Sequence, residues 1–107
     1  MKIFTTFTVG ENDYKLRLTA SAIMQIEKKL NKPLFDALEN IKDDMIGTIT
    51  AVLWGAMQPL NANFKYEKVL ELFDDYIDEG NSIEDLMKII DELFKSSGFF
   101  SKGQEKK

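Results

Sequence analysis

Apolar positions along this chain recur first at every second residue and then at every third or fourth, and the change of period falls near Thr19. From Ile3 to Val9, the residues Ile3, Thr5, Phe7 and Val9 share one side while Phe4, Thr6 and Thr8 share the other. All are β-branched or aromatic, which is the pattern of a strand. Gly10-Glu11-Asn12-Asp13 supplies turn residues. Tyr14, Leu16 and Leu18 then alternate with Lys15 and Arg17, predicting a β-hairpin whose Tyr14, Leu16, Leu18 face packs on the helices that follow.

From Thr19 onward the spacing is helical. Thr19 stands where its hydroxyl can cap a helix that carries Ile23, Ile26 and Leu30 inward, and Asn31 with the Lys32-Pro33 step ends that pattern. Pro33 can open a second helix at its first position, with Leu34, Leu38 and Ile41 as its buried stripe. Beyond Pro59, Asn63 is placed to cap a helix from Phe64 to about Glu79. That helix divides cleanly into an apolar sector (Val69, Leu70, Leu72, Phe73, Tyr76, Ile77) and a charged one (Glu67, Lys68, Glu71, Asp74, Asp75, Asp78). Gly80 stops it, and Ser82 with Asp85 three residues on forms a short-armed capping box for a last helix. Ile83, Leu86, Met87, Ile89, Ile90, Leu93 and Phe94 make its apolar side, and Gly98 ends it.

Between these segments lies Met45 to Phe64, the longest run without a charged residue. A helix from about Asp44 to Gln58 puts Met45, Ile49, Val52, Leu53, Ala56 and Leu60 on one broad apolar side, with Asp43 and Asp44 as its N-cap and dipole partner. Gly47, Ala51 and Gly55 form a seam of small residues suited to a close helix crossing. Trp54 lies off that seam. The run is diluted by Thr, Gly, Gln, Pro and Asn, so it reads as buried in protein and not in lipid. The predicted fold is α+β, mainly α: an N-terminal hairpin as an appendage of a bundle of about five helices, one domain over residues 1–100 with a disordered polar tail at 101–107.

Composition narrows the chemistry. The 107 residues include no cysteine and no histidine, which removes disulfides, thiolate metal sites, thiol catalysis and the side chain most used for proton transfer near neutral pH. Eighteen acidic residues against fourteen basic give a net charge of −4, and no basic stripe concentrates enough charge to bind several phosphates. Lys2 precedes Ile3 and Phe4, but Thr5, Thr6 and Thr8 break the apolar run, so no secretory signal is expected. The acidic stretch Asp74 to Gly80 fails as a calcium loop because Ile77 and Leu86 fall at ligand positions. There is no phosphate-cradling glycine loop or nucleophile elbow, and the serines have no histidine to activate them. The expectation is a non-enzymatic protein with no cofactor, no metal, no small-molecule substrate, no nucleic acid and no membrane among its partners.

Two apolar features exceed what a bundle needs. The apolar sectors of the last two helices are each roughly 160° wide, broader than a minimal stripe, and Phe99-Phe100 lies past the last helix stop. Either they finish the core, or they serve a partner or self-association. Under the second reading the candidate contact residues are Trp54, Phe73, Tyr76, Ile77, Phe94, Phe99 and Phe100.

The order of signals resembles a known family. A hairpin ending in YKLRLTASAIMQIEKKLNKPLFDAL, an uncharged ITAVLWGAMQ helix, two acidic amphipathic helices and a polar tail look like the tail assembly chaperones of long-tailed bacteriophages and prophages, over Val9 to Phe94. The resemblance implies a factor in the bacterial host cytoplasm, not retained in the virion, that binds the tape measure protein, keeps that long hydrophobic polypeptide soluble, and helps recruit tail tube protein. It would act as a self-associating module through side-by-side helix recognition. The alternative is a small regulatory adaptor that binds a host or phage protein.

Overall fold

The computed structural model describes residues 4–61 and 63–99. Strands β1 (Thr5–Val9) and β2 (Asn12–Leu16) pair antiparallel, with Phe7 opposite Tyr14 and Val9 opposite Asn12. Helices α1 (Ala20–Leu30), α2 (Leu34–Glu39), α3 (Met45–Met57), α4 (Tyr66–Asp78) and α5 (Ile83–Ser97) follow, with a single 3-10 turn, Ile41–Asp43, before α3. Over the described residues the fold is therefore α+β and mainly α, a hairpin and five α-helices.

The turn is tighter than the four-residue stretch expected. Only Gly10 and Glu11 lie between the strands, and Asn12 and Asp13 already belong to β2. Gly10 has φ of +62°, the positive value that the first central position of a type II′ hairpin turn requires.

The helix punctuation largely follows local chemistry. Thr19 accepts from the Ala22 amide at 3.0 Å, and Asn31 closes α1 in the left-handed region. Ser82 and Asp85 make a reciprocal capping box at the start of α5. Pro33 is the N-cap of α2 and not its first residue. The exposed start of that short helix is held from outside, because the Glu27 carboxylate on α1 accepts from the Leu34 amide at 2.8 Å. Asn63 does not cap α4. It sits at φ of +63°, and α4 begins two residues later than expected, after Lys65, which makes no side-chain cap.

At the centre is α3, with Ile49, Ala51, Val52, Leu53, Ala56 and Met57 all at 0 % exposure. It touches α1, α4, α5, β2 and the 3-10 turn, so nearly every other element rests on it. The small-residue seam divides into two roles. At Gly55 the close approach is real, since a Cβ there would meet the Ile26 side chain and come within 3.2 Å of the Ala22 carbonyl. At Gly47 the space is taken by the capping carboxylate of Asp44, which accepts from the Gly47 amide at 3.1 Å. Leu60 is not on the buried side. It follows the end of α3 and is 45 % exposed.

The hairpin is no appendage. Phe7 and Leu16 are fully buried, β1 packs on α4 and α5, and β2 packs on α3. Its Thr5, Phe7, Val9 face is a wall of the core, because a two-stranded ribbon has no stability of its own and this one is anchored by what it covers. The polar tail at 101–107, Phe100 and Ile3 lie outside the described residues.

Candidate partner-binding surface

The candidate contact residues divide by burial. Phe73 at 5 % and Tyr76 at 7 % exposure are members of the core, with the Tyr76 ring 5.2 Å from that of Phe7. The wide apolar sector of α4 is therefore largely consumed by α3 and the hairpin, which the helical pattern alone could not reveal, and these two side chains are corrected from surface contacts to packing residues. Ile77, at the sector's edge, remains 36 % exposed and Phe99 is 51 % exposed. Phe94 is half-buried against the core on α5.

Trp54 is half-buried and fixed from several sides. Its indole N–H donates to the Phe64 carbonyl at 3.1 Å, and the Gln58 amide donates to the same oxygen at 2.9 Å. The ring meets Tyr66 edge-on at 5.9 Å. Lys29 of α1 places its ammonium 5.0 Å from the Trp54 ring centroid and 4.4 Å from that of Tyr66, a cation on two aromatic faces. Burial pushes the Tyr66 phenol above its ordinary pKa, with the Asp44 carboxylate adding to the effect.

From Trp54 a shallow surface runs along the outer face of α1. Three depressions of about 490, 410 and 200 Å³ share Gln25 as a common wall, and Ser21, Met24, Lys28, Trp54 and Pro59 line one or more of them. Met24 is the most exposed large apolar side chain described, at 69 %. Sequence reasoning missed it. Its neighbours Ile23 and Ile26 take the inward stripe, and the surplus signal was one methionine on an otherwise polar helix face. Phe35 on α2 and Ile46 at the start of α3 are also exposed, at 61 % and 47 %.

The carboxylates do not converge. Among the described residues no group of three or more acids is placed to hold a metal ion, and no helix is long and apolar enough to cross a membrane. Glu11, Asp75, Asp78 and Glu79 border an open groove between the hairpin turn and α4. Its acids stand exposed to water. The Asp85 carboxyl is held below its usual range by the Ser82 amide and then by the Ser82 hydroxyl.

A family model, described as a family of unknown function, matches residues 1–107 of the chain. No curated protein matches it, and no solved structure matches it.

Proposed function

The chain belongs to DUF6096, a family of unknown function, so its role must come from its own surface, and we propose that it is a tail assembly chaperone: a non-enzymatic module that holds amphipathic helices of a tape measure protein. The observation that carries this reading is Met24, 69 % exposed in a shallow depression that shares Gln25 and Lys28 with the one lined by the half-buried Trp54. A methionine is unbranched and polarizable, so it adapts to helices of varied sequence. A partner helix laid along α1 would cover Met24 and the exposed edge of Trp54, and each fully buried apolar side chain of this size contributes about 1.5–3 kcal/mol. Lys28 and the stem of Lys29 border the surface and suit acidic residues flanking the partner's apolar stripe. The resemblance of Val9 to Phe94 to tail assembly chaperones supplies the partner's identity.

The test is co-expression with a phage tape measure protein. The wild-type chain should raise the soluble yield of that protein. Met24→Lys, which changes one exposed side chain and leaves the core alone, should abolish the gain while retaining wild-type helicity by circular dichroism. An unchanged yield with folded wild-type chain removes the chaperone reading, and an undiminished gain with Met24→Lys moves the contact away from α1.

A further inference from the structure

The outer face of α1 changes in charge along its length. Its amino-terminal end is uncharged: the depression of about 200 Å³ there is lined by Thr19, Ser21, Ala22, Gln25, Gln58 and Pro59. Its carboxyl-terminal end is cationic. The depression of about 410 Å³ beside Trp54 is lined by Lys28 and Lys29 and by no acid. Both lysines belong to the last turn of α1, and neither makes an ion pair among the described residues, where the pairs join Lys68 to Glu71 and Lys95 to Asp91.

Nearby acids are engaged elsewhere. Glu27, on the same helix, accepts from the Leu34 amide at 2.8 Å. Asp44, whose charge acts on Tyr66, caps α3 through the Gly47 amide at 3.1 Å. Lys29 is also fixed in place, with its ammonium over the Trp54 and Tyr66 rings. A cation already held loses little side-chain freedom when an anion arrives. The cationic end is thus ready for a carboxylate that this chain does not supply.

A helix brings its own direction of charge to such a face. Acidic residues are favoured in its first turn and basic ones in its last, because the unpaired backbone groups leave partial charges of opposite sign at the two ends. A helix running antiparallel to α1 sets its acidic first turn over Lys28 and Lys29 and opposes its dipole to that of α1. A parallel helix brings its last turn there and aligns the two dipoles side by side. Met24 and Lys28 are one turn apart on α1, about 6 Å along the axis. An acid over Lys28 and an apolar side chain over Met24 are then about one turn apart on the partner, with the acid nearer its start.

Building on the proposed use of α1 as a helix-binding face, we infer that this face selects amphipathic helices that run antiparallel to α1 and carry Asp or Glu one turn before a large apolar residue. The acid meets Lys28 and Lys29, and the apolar side chain covers Met24.

Three synthetic helical peptides without tryptophan test this on the full chain, whose single tryptophan, Trp54, lines the cationic depression and reports its occupancy by fluorescence. All three share one apolar stripe. The first carries Glu one turn before a leucine of that stripe, the second carries Glu one turn after it, and the third has Gln at both places. The Glu-last peptide can meet the lysines only by running parallel to α1. At low salt the Glu-first peptide should bind about tenfold more tightly than the Glu-last one, the gain expected from a charge pair and a matched dipole together. Added salt should shrink that ratio. A chain carrying Lys28→Glu and Lys29→Gln, with wild-type helicity by circular dichroism, should lose the preference and still bind the Gln peptide. Equal binding of the Glu-first and Glu-last peptides overturns the inference, as does a preference that survives in the folded double variant; in either case the helix-binding face itself stands. Binding by none of the three to the folded wild-type chain removes the helix-binding face, and the inference with it.

Discussion

At Gly55 a single methyl group decides how closely α1 and α3 cross. The Ile26 side chain and the Ala22 carbonyl already fill the place a Cβ would take. Gly55→Ala gains helix propensity, worth about 1 kcal/mol, yet should still lower stability by about 1–3 kcal/mol through overpacking, measured by chemical denaturation. Thr50 runs the other way. It is fully buried on α3, and its hydroxyl has no hydrogen-bond partner. Thr50→Val removes an unsatisfied group at nearly the same volume, so the denaturation midpoint should rise, by about 1 kcal/mol in stability. At Asp85 the depressed carboxyl fixes the sign of a pH effect. A folded-state pKa below the unfolded one contributes stability above the unfolded value, about pH 4, and that contribution is lost as pH falls through the folded value. Asp85→Asn should therefore be less stable than wild type at pH 7, with the difference vanishing in acid melts.

The elements differ in how far local residues account for them. Helix α5 is nearly self-specified: capping box, opposed faces and a left-handed Gly98 at its end all point the same way. Ser82→Ala should cost about 1 kcal/mol, read as fraying of the first turn by amide exchange. The short helix α2 depends instead on a neighbour, since Glu27 supplies the acceptor that its own Pro33 cap lacks. The hairpin depends on neighbours most of all. Phe7 reaches the core between α4 and α5 and contacts Tyr14 and Tyr76. Phe7→Ala should lower stability by about 3–5 kcal/mol. A loss under about 1 kcal/mol would mean that the hairpin is dispensable after all.

For the whole molecule, α3 is the hub, and its contacts with helices and hairpin alike imply one cooperative unit. Helicity, followed by circular dichroism, and burial of Trp54, followed by fluorescence, should be lost together in a single denaturant transition. Separate midpoints would show that the hairpin or α4–α5 melts independently. Function, on the proposed reading, lies on what this hub leaves uncovered, the Met24 face of α1.

Much of this was legible from residue order. Period and punctuation located the strands and helices, because backbone sterics and capping are settled within a few residues of each position. The uncharged Met45–Phe64 run identified the centre, since only a surrounded helix can dispense with charge. The surface was not legible in the same way. Phe73 and Tyr76 lay in a sector open to core or contact until α3 and the hairpin covered them, and Met24 carried no assignment until α1 turned it to water. Whether an apolar side chain is core or contact depends on which elements pack over it, and those elements lie tens of residues away in the sequence, beyond the reach of any local pattern.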